Sequence, residues 1–304
     1  MQKPFLKFKA LIHFIKVKNL AYLPPKLLEK KLLQFLQEDL EFGDITSDIT
    51  PDRIVQANLT AKEQGYVCGL EFARILLEAV GLEVKIIKHD GDQVVQKDII
   101  LTIGGSSKII LMVERTILNI IMRLSGITTQ TKRLVNMITT SDASLRIAST
   151  RKTTPGFRYF EKYAVKVGGG DTHRWSLSDE ILIKENHLAI FEGESIADIL
   201  SKYQQLSSFS KKIDIEVETL EEFKSVLNLH PDVIMLDNFT PEEIQHAISF
   251  MNDRITERKP LIEISGGIKP ENIEKYLIKG IDIISIGALT HSVRSLDFSL
   301  KIQT

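Results

Sequence analysis

Two adjacent cations, Arg151 and Lys152, stand in the stretch ASTRKTTPG at residues 148–156. They follow the apolar run LRIA (145–148) and precede a Pro-Gly break, and no acid lies close by to offset them. Cations at the end of a buried segment repel each other and are costly to desolvate unpaired, so this pair calls for an anion supplied from outside. GGGDTHR (168–174) adds His173 and Arg174 behind three glycines, which allow close approach of a ligand or of other backbone. Lys184 follows a third apolar run, ILI. SGG at 265–267 and SIG at 285–287 close two more runs, and glycines there let backbone N–H groups reach a phosphate, which makes Ser265, Gly266, Gly267 and Gly287 a predicted phosphate site.

Against at least four permanent cations the same positions offer two clear carboxylates, Glu218 and Asp237. That excess predicts a ligand carrying several negative charges, such as a phosphate ester together with a dicarboxylate. Glu218 and Asp237 suit a divalent ion or ribose hydroxyls, with salt bridges to the cations as the structural alternative. No Ser/His/Asp order, HExxH or P-loop signature competes.

These residues must be positioned by repeated elements. Seven β-like runs, LRIA, AVKV, ILI, IDIEV, VIML, LIEI and IISI, alternate with helical stretches over roughly 150 residues, which predicts an incomplete or seven-stranded parallel β/α barrel over 139–290. The polar residues fall where each run ends, the carboxyl-terminal mouth that holds active sites in such barrels. Upstream, apolar residues at helical spacing (Leu27, Leu28, Leu32, Leu33, Leu36) precede short β-type runs and a helix-like segment, Leu70 to Val80, and residues 107–138 read as one or two packed helices. This predicts an N-terminal α/β (α+β) sandwich over 25–138. HDGDQVVQKDIILTIGG (89–105) reads as a plain hairpin, because the lysine that a lipoyl-type carrier needs at the turn tip is absent.

Composition narrows the class. A chain of 304 residues, 43% hydrophobic and 26% charged, has 39 basic against 40 acidic residues and a formal net charge of -1, so no global field points to nucleic acid or an anionic membrane. The single cysteine, Cys68, excludes an intrachain disulfide and a Cys-rich metal cluster, suits a reducing cytosol, and reads as a small buried apolar residue. The first 24 residues carry five lysines and no acid; their apolar stretch, Ala10 to Ile15, is short for a membrane span or a secretory signal, so they read as a basic extension of a cytoplasmic protein.

TRKTTPGFRYFEKYAVKVGGG followed by HR, then LSD, LIKENH, IEVE, LDNF, EISGGI, ISIGALTHS and LDFSLK, together with EDLEFGDIT and ERTILN upstream, closely resembles the quinolinate phosphoribosyltransferase family from about Pro24 onward. The resemblance implies a type II phosphoribosyltransferase: the sandwich, a seven-stranded α/β barrel, and a tail (291–304) that returns to the first domain. It implies transfer of phosphoribosyl from phosphoribosyl pyrophosphate to quinolinate with decarboxylation, giving nicotinate mononucleotide in NAD synthesis. By motif, Arg151, Lys152, His173, Arg174 and Lys184 surround quinolinate and pyrophosphate. Glu218, taken as the second acid of IEVE, and Asp237 face the ribose hydroxyls and Mg²⁺, while Ser265, Gly266, Gly267 and Gly287 hold the 5′-phosphate. Members are homodimers or dimer-based assemblies, and Arg115 of ERT completes the neighbour's site. Thr172, Trp175, Ser176 and Glu185 depart from the family's usual pattern beside the substrate cations. Two other readings compete: a related transferase for another heteroaromatic acid, and a phosphate-sensing barrel without turnover.

Overall fold

The computed structural model describes residues 23–40, 43–139, 144–191, 193–255 and 258–303. All of the basic extension expected over 1–24 except its last two residues lies outside them. The chain divides into two compact units, one of residues 1–132, 159–169 and 293–304 and the other of 133–158 and 170–292.

The first unit is built on an antiparallel sheet. Strands β1 (Ile54–Ala61), β3 (Glu83–Ile86), β5 (Ile99–Ser106) and β12 (Phe298–Ile302) lie in the order β12-β1-β5-β3. β1 shows why it is a half-buried strand: Ala57, Leu59 and Ala61 alternate inward and are fully buried, with polar residues between them. Helix α1 (Pro25–Leu40) buries Leu28, Leu32 and Leu36, one residue per turn on a single face, and leaves Leu27 and Leu33 exposed. Helix α3 (Leu70–Ala79) follows a short α2 (Ile45–Ile49) and buries Leu70, Phe72, Ala73, Leu76 and Leu77. The hairpin expected over 89–105 forms differently. β4 (Gln93–Val94) pairs with β2 (Gly65–Tyr66), while β5 pairs with β3 across the inserted segment, because β5 matches the register of both β1 and β3. Residues 107–139 form one 33-residue helix, α4.

AVKV, expected as a barrel strand within 139–290, is instead the end of helix α5 (Arg158–Val167), and residues 159–169 group with the first unit. The reason is aromatic: Phe160 and Tyr163, three apart on one face, stack edge-on against Phe72 with ring centroids 4.9 and 4.8 Å apart. A β-carbon on Gly168 would meet Thr131 Cβ at 2.6 Å, so backbone approach, not a ligand, explains the first of the three glycines.

The second unit is a parallel sheet in the order β6-β11-β10-β9-β8-β7, with β6 at Arg146–Ala148, β7 at Ile181–Ile183, β8 at Ile213–Val217, β9 at Val233–Asp237, β10 at Leu261–Ser265 and β11 at Ile283–Ser285. Among the described residues it has six strands; the seventh position is a single parallel bridge from Asp171 to Ala148. Helices α6 (Glu185–Leu188), α7 (Ile196–Leu206), α8 (Leu220–Leu227), α9 (Pro241–Arg254) and α10 (Ala288–His291) follow strands in turn. Their starts are written in the sequence: Thr219 with Glu222 and Thr240 with Glu243 form capping boxes, and Pro241 occupies the first turn of α9. Alternate strand residues, among them Ile215, Val217, Ile234, Leu236, Ile262, Ile264 and Ile284, form the buried core of this unit. Among the described residues, no helix is long and apolar enough to cross a membrane.

Candidate active site

Strand alternation decides what the opposite face of the sheet presents. Between core residues Ile215 and Val217 stands Glu216; between Ile262 and Ile264 stands Glu263; Met235, Ser265 and Ser285 occupy the same parity in their strands. With the segments that follow the strands, they line a cavity of about 470 Å³ at the carboxyl-terminal strand ends, within the range of small-molecule sites.

Of the residues expected from sequence, Arg151, Lys152, His173, Arg174, Lys184, Asp237 and Ser265 line this cavity. Lys152 is fixed by its backbone: its amide donates to Thr150 Oγ1 (3.0 Å), and Thr290 Oγ1 of α10 donates to its carbonyl (2.8 Å). Arg151 Nε is buried without a hydrogen-bond partner among the described residues. Burial, then the neighbouring Arg151, lowers the pKa of Arg174, the signature of crowded cations.

Gly287 and Gly266 act through close approach. A β-carbon on Gly287 would meet Lys152 Cδ at 2.9 Å, and one on Gly266, whose φ is +94°, would collide with Asn238 Oδ1. Gly267 (φ +62°) faces open space. Arg115 is exposed on α4 in the first unit and is not among the residues lining the cavity.

Of the two acids of IEVE it is Glu216, and not the expected Glu218, that lines the cavity. β8 ends at Val217, so Glu218 lies one residue past the strand and is exposed at the rim, where its amide donates to Glu222 (2.8 Å). Glu216 is nearly buried and accepts a hydrogen bond from Lys184 Nζ. Glu218 still belongs to an acidic rim, since partial burial and then Glu185, Glu222, Asp237 and Glu216 raise its pKa. Such a cluster of carboxylates is stabilised by a cation.

His173 is the most constrained member. Its φ of 51° is unusual for a side-chain-bearing residue. Its amide donates to Asp171 Oδ1 (2.9 Å), and Ser149 Oγ donates to the Thr172 carbonyl (3.0 Å), which ties this loop to the end of β6. The ring lies between Glu263, 3.2 Å from Nε2, and Glu180, 3.0 Å from Nδ1. Burial opposes the charged ring, but the two carboxylates outweigh it and push its pKa up to about 10. Ser285 Oγ donates to Glu263 (2.5 Å) and orients it. Sequence motifs did not mark Glu180, Glu263 or Ser285 as a set, because they sit on three separate elements and meet only through the fold. Arg158 was also missed: its Nε donates to Thr153 Oγ1 (3.0 Å) and its Nη1 to the Trp175 carbonyl (2.9 Å), joining the two cationic loops.

The arrangement can hold a multiply charged anion against Arg151, Lys152, Arg174 and Lys184, with an acidic rim opposite. Comparisons with known proteins give the family. Residues 44–125 match the model of the quinolinate phosphoribosyl transferase N-terminal domain, and residues 127–301 that of the C-terminal domain. The chain is 44% identical to a probable carboxylating nicotinate-nucleotide pyrophosphorylase of Methanocaldococcus jannaschii, over 90% of this chain and 96% of that relative. It is 35% identical to the carboxylating nicotinate-nucleotide pyrophosphorylase of Mycobacterium leprae, over 88% and 94%. The solved structure of the nicotinate-nucleotide pyrophosphorylase from Francisella tularensis superposes with a TM-score of 0.84 at 35% identity, covering 93% of this chain and 98% of that one. This chain therefore belongs to the quinolinate phosphoribosyltransferase family.

Proposed function

We infer that this protein is a carboxylating nicotinate-nucleotide pyrophosphorylase. It transfers phosphoribosyl from phosphoribosyl pyrophosphate to quinolinate, releasing pyrophosphate and CO₂ and giving nicotinate mononucleotide for NAD synthesis. The observation that carries the reading is the cavity in which Arg151, Lys152, Arg174 and Lys184 face one space. The two carboxylates of quinolinate and the pyrophosphate are the kind of multiply charged anions that four cations facing one space can hold.

The pyridine nitrogen attacks the anomeric carbon as the bond to pyrophosphate breaks, and the cations stabilise the departing charge. The ring nitrogen then carries a positive charge. The bond from C2 to its carboxylate breaks, CO₂ leaves, and the electron pair left beside the cationic nitrogen takes a proton from solvent. No side chain is required as a strong base. Ser265 and the glycines 266, 267 and 287 suit the 5′-phosphate, because their turns leave backbone donors accessible. Asp237, with the rim acid Glu218 and the interior acid Glu216, suits the ribose hydroxyls and Mg²⁺. Bound there, Mg²⁺ would neutralise the pyrophosphate as it leaves.

We further propose a homodimer, or an assembly built from dimers, in a cytoplasmic setting, with Arg115 reaching the site of a second copy. Ile45, Ile49 and Ile54 of the first unit are each more than four-fifths exposed, an apolar surface that a second copy would cover.

The test is to mix the purified protein with Mg²⁺, phosphoribosyl pyrophosphate and carboxyl-labelled quinolinate, with nicotinate in a parallel reaction. Equal amounts of CO₂ and nicotinate mononucleotide from quinolinate alone are expected. Turnover of nicotinate, or none of either acid by a protein that binds phosphoribosyl pyrophosphate, would overturn the assignment.

A further inference from the structure

The strands enclose a second cavity, of about 390 Å³, lined by residues at their amino-terminal ends such as Arg146, Val233, Leu261 and Ile283. Carboxylates outnumber permanent cations among its lining residues. Asp214, the interior-facing residue at the start of β8, lies in its wall with 1% of its surface exposed, and neither carboxylate oxygen has a hydrogen-bond partner among the described residues. Glu180 Oε1 is also shielded from solvent, 3.0 Å from His173 Nδ1. A carboxylate without donors in so dry a place, with a second carboxylate nearby, is unfavourable unless a positive species stands between them.

His173 completes the set. One ligand atom from each of His173, Glu180 and Asp214 lies within 4.8 Å of the other two. His173 Nδ1 is 3.0 Å from Glu180 Oε1, about the separation of two neighbouring ligands each roughly 2.1 Å from one ion. The other ring nitrogen is held at 3.2 Å by Glu263, which in turn accepts from Ser285. A ligating histidine whose second nitrogen donates to an anchored carboxylate is the usual outer arrangement of a metal site.

We propose that His173 Nδ1, Glu180 and Asp214 form a binding site for a divalent transition-metal ion, of the Zn²⁺ or Mn²⁺ type, at the amino-terminal end of the barrel strands. One imidazole and two carboxylates suit these ions better than Ca²⁺ or Mg²⁺, which prefer oxygen ligands alone. The ion bridges His173 Nδ1 and Glu180. It competes with the Arg174 amide, which stands 2.7 Å from the same nitrogen. Because His173 also lines the active cavity, an ion here fixes the ring as a neutral imidazole in one orientation.

The experiment is a calorimetric titration of chelator-treated full-length protein with Zn²⁺ and, separately, Mn²⁺, without phosphoribosyl pyrophosphate, with Mn²⁺ binding also read by electron paramagnetic resonance. One equivalent per chain is expected for the unaltered protein and for the rim variant Asp237→Asn, and Asp214→Asn should weaken it at least about tenfold. Absence of binding, equal binding by Asp214→Asn, or loss confined to Asp237→Asn would each overturn the proposal. If Asp214→Asn lacks the native circular dichroism spectrum, Glu180→Gln replaces it, and unchanged binding by that variant also overturns the proposal.

Discussion

Gly287 stands directly against the side chain of Lys152: a β-carbon on the glycine would lie 2.9 Å from Lys152 Cδ and 3.1 Å from His291 Nε2. The backbone at 287 has φ −64° and accepts any residue, so Gly287→Ala acts through space alone. We expect it to displace Lys152 and lower kcat/KM at least tenfold, since misplacing a positioned group by about 1 Å can cost a hundredfold. The thermal midpoint should stay near that of the unaltered protein. Lys152→Ala should abolish turnover with the fold intact, and wild-type kcat/KM in either variant would remove Lys152 from the reaction.

Glu216 and Glu218 should separate cleanly. Glu216→Gln leaves Lys184 without its charged partner inside the cavity, and the maximal rate should fall about a hundredfold. Glu218→Gln removes one exposed charge from the rim, so the Mg²⁺ concentration for half-maximal rate should rise with little change in maximal rate. Mg²⁺ titrations of both variants, at saturating substrates, provide the check.

Arg158 bridges two loops with one planar group, its Nε to Thr153 and its Nη1 to the Trp175 carbonyl. Arg158→Lys keeps the charge but cannot span both acceptors, so it should fail to restore the activity lost in Arg158→Ala. Recovery by lysine would show that charge, not loop geometry, is what matters.

Asp90 gives a stability signature in the first unit. Burial raises its pKa to about 6, against hydrogen bonds from the Leu70 amide (2.9 Å) and the Tyr163 hydroxyl (2.7 Å). A carboxyl whose folded pKa exceeds its unfolded value of 3.8 favours folding below that value, and the contribution is lost as pH rises through about 6. The stability of the unaltered protein relative to Asp90→Asn should therefore fall by on the order of 3 kcal/mol between about pH 4 and 6 and then level off. Urea unfolding of both proteins across that range measures it, and a difference that grows with pH would refute the sign.

Much of the site was legible because barrel strands carry their punctuation in sequence. Arg151, Lys152, Lys184 and Asp237 stand at or just past strand ends, and all line the cavity. Glu216 and Glu218 share strand parity, so alternation could not choose between them; the choice depends on β8 stopping at Val217. AVKV was opaque for a related reason: four residues fit either period, and Phe160 and Tyr163 resolve it only by finding Phe72, far away in sequence. The acids around His173 could not be grouped from spacing, because the sheet brings them together from positions 180, 214 and 263.

The pairing of β12 with β1 sets Ala57 opposite Ile302 and Ala61 opposite Phe298. During synthesis, β1 and β5 emerge long before this partner, and the second unit's strands are made in the interval. Until residues 298–302 leave the ribosome, β1 is a bare sheet edge with unpaired backbone groups, open to strands of other nascent chains. Of the two units, the one translated earlier is thus completed later, and a chain released short of Phe298 lacks the closing strand of its first sheet.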